Sequence, residues 1–379
     1  MGPLHGLKVI EIVGIGPGPF AAMMLADMGA EVIRIDRADR VGKDGDAAAF
    51  DFLARSRPSL GVDLKRAEGI ATVLRLVERS DALLEGFRPG VMERLGLGPD
   101  VCLKHNPRLV YGRMTGWGQQ GPRAQQAGHD IDYIAIAGAL HAMGRAGEAP
   151  IAPLNLVGDF GGGGLLLAFG MLCALRQVDV WGSGQVVDAA MIDGAALLMT
   201  MAHGMRATGF HLDERGVNLL DSGAHFYETY ETADRKHMAV GAIEPQFYAE
   251  LLRRLELEPA SLPPQFERTS WPAMKQRFAE IFRRKTRAEW TRIFDGSDAC
   301  VAPVLSMGEA TQDEHVRARQ TFVEVGSTLQ PAPAPRFSRT PPGVPRSPVR
   351  AGANSDEVLA RWGFGSDEIA TLRRAGAVA

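Results

Sequence analysis

The sequence has few cysteines, and those it has are far apart. Only three occur among 379 residues, at Cys102, Cys173 and Cys300, and no two of them form a CxxC pair. A disulfide framework typically uses an even set of cysteines, and a structural zinc site needs short spacings between its ligands. The spacing therefore argues against both, and it favours buried or idle thiols in a reducing compartment.

Neither sign of charge is in excess. The 42 Lys and Arg residues face 45 Asp and Glu residues, which gives a formal net charge of −3. Proteins dedicated to nucleic-acid binding normally carry a basic surplus, so we expect no nucleic-acid partner. The balance is compatible with a local basic pocket for a phosphorylated ligand.

Long apolar runs are also absent. The longest, residues 161–175, stops at Arg176, whereas a membrane span needs roughly 20 residues. Residues 1–8 lack the charged and then apolar pattern of a leader peptide. We therefore expect a cytoplasmic protein without a membrane partner. Its 45% hydrophobic residues are enough for a sizeable core.

Apolar strands alternate with helical segments through the first half of the chain. Strands are predicted at residues 7–13, 30–36, 60–64, 82–87, 109–114 and 185–190, and helices at 20–28, 67–79, 91–95, 161–175 and 191–207. Buried strands separated by helices are typical of a parallel sheet. The fold class predicted is therefore α/β, with a large, doubly wound Rossmann-like domain.

The pattern changes near residue 225. Two strand-like segments flank Ala233, Asp234 and Arg235, which predicts a hairpin, and helices are predicted at 245–255, 271–284 and 287–294. A proline-rich segment at 331–348 favours an extended chain. We assign residues 1–200 to the large domain, 201–224 to a linker, 225–320 to a smaller α+β domain, and 321–379 to a segment that returns to the large domain.

The loop after the first strand contains three alternate glycines, Gly14, Gly16 and Gly18. With Asp36 at the end of the next strand, it partly matches a dinucleotide-binding fingerprint. However, Pro17 and Pro19 lack the N–H groups that would bind a pyrophosphate. A tight turn explains the glycines, so an NAD-dependent oxidoreductase is the less favoured alternative. The arginines at 34, 37 and 40 fit a phosphate site or a solvated rim equally well.

Asp159 precedes four consecutive glycines at the start of an apolar helix. As an N-cap it would stabilise the helix by about 1 kcal/mol. Glycines are poor helix formers, and a run of four predicts close approach of a ligand to the backbone. A carboxylate beside free helix N–H groups suits removal of a proton next to a carbonyl, because those donors would bind the enolate oxygen.

Two other stretches contain candidate acid/base groups. His129 is followed by Asp130, and a neighbouring carboxylate favours the imidazolium form. Glu244 precedes Pro245 at a predicted helix start, where an acidic cap would explain it equally well. Taken alone, each residue fits a structural role as well as a catalytic one.

Taken together, these stretches resemble the α-methylacyl-CoA racemase group of the class III CoA-transferase superfamily. The ordered matches fall at residues 4–11, 14–19, 25–36, 85–98, 111–118, 242–247, 297–304 and 333–339. A Gly-His-Asp-Ile-x-Tyr motif at 128–133 matches the racemase group in addition. The matches cover nearly the whole chain. The resemblance implies a Rossmann-like large domain, a small α+β domain and an interlocked homodimer.

The resemblance also implies a reaction. His129 and Asp159 would remove and return the α-proton of a 2-methylacyl-CoA from opposite faces. Glu244 and Asp130 would orient and charge the imidazole, and the helix start at residues 159–162 would bind the enolate oxygen. No metal or redox cofactor is expected, because CoA is part of the substrate. The acyl chain is left open.

Acyl-CoA contacts are expected at Ile15, Arg37, Arg88, Tyr133 and Gly161. Arg40, Arg55 and Arg57 are further candidate cations. The main alternative is a CoA-transferase in which Asp159 is the nucleophile and forms a mixed anhydride with the acyl group. A non-catalytic acyl-CoA carrier would keep the pocket without turnover.

Overall fold

The computed structural model describes residues 2–43 and 45–379 and divides into two compact units. Unit 1 comprises Met1–Ala137, Leu154–Leu198 and Arg317–Ala379. Unit 2 comprises Gly138–Pro153 and Met199–Val316. Unit 2 thus includes the segment 201–224, which we assigned to a linker, as well as residues 138–153. Each unit is described here by itself.

Unit 1 is built on a six-stranded sheet. Its strands are β1 (Lys8–Ile12), β2 (Glu31–Arg37), β3 (Ser59–Val62), β4 (Ala82–Glu85), β5 (Val110–Thr115) and β6 (Gln185–Ala190). All pairs are parallel, in the order β3-β2-β1-β4-β5-β6. This confirms the predicted parallel α/β sheet. The order reverses between β1 and β4, and ligands of such sheets bind in the crevice beyond the carboxyl ends of those strands.

The helices complete the element list. They are α1 (Pro17–Asp27), α2 (Ala67–Val77), α3 (Val91–Arg94), α4 (Pro99–His105), α5 (Asp130–Ile136), α6 (Leu165–Trp181), α7 (Met191–Leu198), α8 (Thr200–Ala207), α9 (Pro245–Arg254), α10 (Trp271–Phe282), α11 (Arg287–Phe294), α12 (Met307–Ala310), α13 (Glu314–Ala318), α14 (Ser355–Arg361) and α15 (Ser366–Arg374). Short 3₁₀ turns lie at Ala38–Arg40, Asp46–Phe50, Phe52–Ala54, Leu140–Ala142, Pro259–Ser261 and Arg268–Ser270.

Both faces of the sheet are covered by helices. On one face, Leu83 and Tyr111 pack with side chains of α2 and α14. On the other, Leu84 and Val110 pack with side chains of α1 and α6. Adjacent residues of each strand thus enter different cores, as expected for a sheet that is buried on both sides.

The apolar helix is longer than the sequence predicted. A π-helical segment, Leu156–Gly164, runs directly into α6, so the helix continues for 26 residues to Trp181. By length and composition alone it could cross a membrane, contrary to our estimate from residues 161–175. Core helices of large domains meet the same criterion. Here Leu167 and Met171 are fully buried in the core beneath the sheet.

Several helices begin or end at residues other than those predicted. The helix predicted from residue 20 begins at Pro17, because proline is favoured in a first helical turn. The helix predicted at 191–207 is divided into α7 and α8 at Met199. The sequence patterns did not predict α4 and α5.

Unit 2 contains a three-stranded antiparallel sheet with the order β7-β8-β9, formed by Tyr227–Glu231, His237–Gly241 and Val301–Pro303. The first two strands form the predicted hairpin, with Tyr227 opposite Gly241. Side chains of α9, α10 and α11 cover one face with a largely aromatic core. In the last part of unit 1, β10 (Phe322–Val325) and β11 (Thr328–Pro331) pair in an antiparallel ribbon.

Candidate active site

A cavity of about 470 Å³ lies in unit 1 at the point where the strand order reverses. Its walls come from the loops after β1, β4 and β5, the start of α5 and the π-helical segment. The lining includes Ile15, Gly16, Phe87, Arg88, Thr115, Trp117, His129, Tyr133, Asp159 and Met191. The parallel strand order therefore brings together residues that are far apart in sequence.

His129 and Asp159 both line this cavity. His129 is the N-cap residue of α5 and is exposed, and its backbone N–H donates to the Asp132 carboxylate at 2.9 Å. Asp159 is half-buried and lies within the π-helical segment rather than before a helix, as the sequence had predicted. A histidine and an aspartate that are distant in sequence thus line the same cavity.

The Asp159 carboxylate is held by two neighbours. Asn155, one turn earlier, donates from Nδ2 to Asp159 Oδ2 at 3.0 Å. Gly16 lies against the same oxygen: a Cβ at this position would be 3.2 Å from Oδ2. Gly16 also has a φ of 68°, which favours glycine. Sequence analysis missed Asn155, although the i, i+4 spacing within a helical segment would have indicated the contact.

Asp130 faces the backbone of the segment that carries Asp159. Its Oδ2 accepts the N–H of Asp159 at 2.7 Å. Gly158 permits this approach, since a Cβ there would lie 2.3 Å from Oδ2. These contacts give Asp130 a different place from the one we expected, which was beside the imidazole of His129.

Burial raises the pKa of Asp130, against the lowering effect of the backbone N–H groups of Asp159 and Gly158. The negative charge of Asp159 raises it further. Its second oxygen, Oδ1, is buried and has no hydrogen-bond partner among residues 2–43 and 45–379. An unpaired buried oxygen disfavours the ionised form, so this carboxyl group titrates closer to neutrality than an ordinary aspartate.

The glycine run is explained by packing. A Cβ at Gly162 would meet the backbone N of Ala195 at 2.7 Å, and one at Gly164 would meet the carbonyl oxygen of Pro17 at 2.5 Å. Gly194 on α7 lies in turn against the carbonyl oxygen of Gly162. The absent side chains therefore allow close contact with α1 and α7. We had instead attributed them to the approach of a ligand.

The same geometry is at odds with the predicted enolate site at residues 159–162. The N–H of Asp159 is used by Asp130, and the N–H of Phe160 donates to the Asn155 carbonyl at 3.3 Å. Further along, π-helical hydrogen bonds engage the backbone. Gly161, also predicted to contact the substrate, lies against Leu156 and Leu198 and is not among the cavity-lining residues of the described chain.

Tyr133 shapes the wall of the cavity beside His129. Its hydroxyl donates to the Gly128 carbonyl, and its ring meets that of Trp117 edge-on at 4.8 Å. Gly116 leaves room for the ring, because a Cβ there would lie 2.0 Å from Cζ. Burial, and then the charge of Asp159, raise the pKa of Tyr133, so the phenol stays neutral.

A second cavity, of about 550 Å³, lies at the carboxyl end of β2. Its charged lining residues are Arg34, Arg37, Arg40, Lys43, Asp36 and Asp51, and Arg34 forms an ion pair with Asp36 at 3.0 Å. Arg37 is exposed and forms an ion pair with Asp39. Ile15, which is 84% exposed, lines both cavities. Arg88 lies on the first cavity and is exposed. Cations thus stand at both cavities, with one apolar side chain between them.

Arg55 and Arg57, two further candidates for phosphate binding, are core residues. Arg55 is buried in an ion pair with Asp27, and Arg57 is buried against Glu11 at 2.6 Å. Buried guanidinium groups that already have carboxylate partners are poorly placed to bind a ligand phosphate. The structure therefore argues against these two of the candidate cations, and the favoured Arg37 and Arg88 stay predictions.

Glu244 lies in unit 2, where it is exposed and is the N-cap residue of α9. Its charge also contributes to raising the pKa of Cys300, after the larger effect of burial. The predicted role of Glu244 in orienting the imidazole of His129 involves residues of two units that are described separately, so it stays a prediction.

Residues 4–355 match the family described as CoA-transferase family III. The chain is 48% identical to the mouse protein named alpha-methylacyl-CoA racemase and 46% identical to the human protein of that name. Both comparisons cover 97% of this chain and 96% of the relative. A crystal structure of a CAIB/BAIF family protein from Brucella suis superposes with a TM-score of 0.82 at 22% identity, over 95% of this chain and 99% of that one.

Proposed function

The chain belongs to CoA-transferase family III, and we propose that within this family it is a racemase that interconverts (2R)- and (2S)-2-methylacyl-CoA thioesters. The observation that supports this most is the shared cavity, since His129 and Asp159 both line it. The two mammalian relatives with nearly full coverage bear the name of this enzyme.

Racemisation requires a base on one face of the α-carbon and an acid on the other. The base takes the α-proton, and the electron pair of the broken C–H bond moves into the thioester carbonyl to give an enolate. The second residue, which is protonated and lies on the other side of the α-carbon, then delivers its own proton to the opposite face. His129 and Asp159 exchange these roles when the other enantiomer is bound. Atoms and charge balance without an external reactant.

Asn155 supports the role of Asp159, because its amide donates to one oxygen of the carboxylate, and Gly16 leaves room for that oxygen. Tyr133 supports the same assignment indirectly, since a buried neutral phenol does not compete for the proton. Glu244 would complete the site by orienting the imidazole of His129. Asp130 would act through the backbone of Asp159.

Binding of CoA would use the second cavity and Arg88. The phosphates would lie near Arg37, Arg40 and Arg88, and the pantetheine arm would pass Ile15 to bring the thioester into the first cavity. Arg37 would have to leave Asp39, an exchange that costs little because the ion pair is exposed. CoA belongs to the substrate, so no resident cofactor is needed.

The proposed assembly is an interlocked homodimer. On α6, apolar side chains that include Leu165, Phe169, Val180 and Trp181 are exposed, and Trp181 is 76% exposed. Contiguous exposed apolar surface is typical of protein–protein interfaces. Light scattering should give twice the mass of the 40.8 kDa chain, whereas a monomer would contradict this proposal.

The function is tested by incubating the protein with (2R)-2-methylacyl-CoA and separating the enantiomers by chiral chromatography. Both enantiomers should appear, approaching equal amounts. A CoA-transferase would instead form an acyl-Asp159 anhydride and release CoA. Hydroxylamine would trap this anhydride as a hydroxamate, and a second carboxylic acid would accept the CoA. Trapping without racemisation would refute the proposal and favour that alternative.

A further inference from the structure

The loop that presents Arg88 to the cavity is tied at both ends to the side chain of Arg113. This loop begins where β4 ends at Glu85, and it leads into α3. Arg113 lies on β5 in register with Glu85. Its Nε donates to Glu85 Oε1 at 3.1 Å, and its Nη1 donates to Glu93 Oε1 on α3 at 2.8 Å. One guanidinium therefore joins the end of β4 to the first turn of α3.

Glu85 also reaches into the loop itself. Its Oε2 accepts the backbone N–H of Phe87 at 2.7 Å. Glu85 is fully buried and Arg113 is 7% exposed, while Arg88, the residue after Phe87, is exposed. The buried carboxylate of Glu85 bonds both a guanidinium and a backbone N–H. It has little conformational freedom, because loss of either partner would leave a buried charge uncompensated. The backbone that precedes Arg88 is therefore fixed while its side chain remains accessible.

Burial raises the pKa of Glu85 to about 7, against the lowering effects of the Phe87 N–H and of Arg113. The nearby Tyr111 hydroxyl donates to the Leu97 carbonyl and is neutral, since burial raises its pKa as well. Maintaining a carboxylate in such a position costs free energy. The proposed proton transfers do not use Glu85, so its place in the loop needs another explanation.

We propose that Glu85 is a positioning residue for acyl-CoA: through Phe87 and Arg113 it holds residues 86–89 so that the Arg88 guanidinium meets a CoA phosphate in a preformed geometry. A preformed loop binds more tightly because less conformational freedom is lost on association. The effect falls on affinity for CoA and not on the proton transfers. Only the identity of the ligand rests on the proposed function.

The test is a double-mutant cycle on the Kd of free CoA, measured by titration calorimetry. Glu85→Gln should weaken binding roughly tenfold in the wild-type background, as expected for loss of a charge-assisted hydrogen bond. In the Arg88→Ala background it should weaken binding by less than about twofold, because the contact that it positions is gone. An equal loss in both backgrounds would overturn the inference.

Glu228→Gln is the matched control, because Glu228 is a buried, ion-paired carboxylate in unit 2, with Lys275 at 2.8 Å. Its effect on the Kd should be negligible. Should Glu85→Gln fail to fold, Glu85→Asp keeps the charge but shortens the reach to Phe87, and the same cycle applies. If the protein binds CoA but does not racemise 2-methylacyl-CoA, the proposed function is refuted, while the double-mutant cycle still tests the positioning role of Glu85. A fall in kcat with unchanged Kd would contradict the positioning role.

Discussion

The carboxylate of Asp130 accepts the backbone N–H of Asp159 at 2.7 Å, which links the start of α5 to the π-helical segment. His129, at the start of the same helix, therefore has a fixed connection to the segment of the second acid/base candidate. Adjacent residues in one sequence motif thus have different roles: His129 lines the cavity, and Asp130 accepts a hydrogen bond from the backbone of Asp159, the second acid/base candidate. Since Gly158 also contacts Asp130, the link depends on three residues.

Substitution of Asp130 distinguishes this arrangement from the one that the sequence predicted. Asp130→Ala orphans the N–H of Asp159, which costs about 1–3 kcal/mol for a buried donor. We expect kcat to fall. The part of the kcat–pH profile that reports titration of the catalytic histidine should keep its position. Asp132→Ala, which removes only the cap on the His129 N–H, is the control. If Asp130→Ala shifts that part of the kcat–pH profile, Asp130 instead favours the charged form of the imidazole.

The glycine before Asp159 is a sensitive position. Gly158→Ala would place a Cβ 2.3 Å from Asp130 Oδ2, so that carboxylate must move and the Asp159 segment with it. We expect a loss of racemisation of at least roughly 100-fold, because a group misplaced by about 1 Å loses that much. Gly18→Ala on α1 has free space and should retain activity. Full activity of Gly158→Ala would contradict the proposed contact.

Two of the candidate phosphate-binding arginines, Arg57 and Arg88, should respond differently to substitution. Arg57→Met leaves Glu11 buried without its partner, so the free energy of unfolding should fall by about 3–5 kcal/mol. Arg88→Ala, at an exposed position, should change stability by less than about 0.5 kcal/mol while weakening CoA binding. Urea unfolding and CoA titration of both variants provide the comparison. Unchanged stability in Arg57→Met would contradict a structural role for that ion pair.

His225 makes unit 2 sensitive to acid. It is 1% exposed, its Nε2 lies 2.8 Å from the Tyr248 hydroxyl, and burial lowers its pKa to about 4 from 6.5. The unfolded chain therefore binds a proton that the folded chain does not, and stability present above pH 6.5 is lost as the pH falls toward 4. By about pH 5 the loss should reach about 2 kcal/mol. Urea unfolding of wild type and His225→Phe at about pH 7.5 and about pH 5 measures this loss. If the free energy of unfolding changes equally between the two pH values in both proteins, the effect is disproved.

Local sequence patterns were sufficient for the six strands of the parallel sheet, for the hairpin of β7 and β8 and for the loop between β1 and α1, because period and turn chemistry are local properties. They did not predict β9, β10 or β11. They were not sufficient for the reason behind the glycine run, since Pro17 and Gly194 reach it only through the fold. Likewise, the proximity of Asp130 to His129 in sequence suggested a contact, whereas the helical geometry of α5 directs the carboxylate to Asp159. The buried partners of Arg55 and Arg57, which are Asp27 and Glu11, are likewise far from them in sequence.

The most direct test follows exchange of the α-hydrogen of each pure enantiomer of a 2-methylacyl-CoA in D₂O, by mass spectrometry, with His129→Ala and Asp159→Ala. Each variant should keep exchange for one enantiomer only, the one whose proton faces the remaining base, and the two variants should retain opposite enantiomers. The lost exchange should fall at least roughly 100-fold. Wild-type exchange of both enantiomers by either variant would contradict a two-base mechanism.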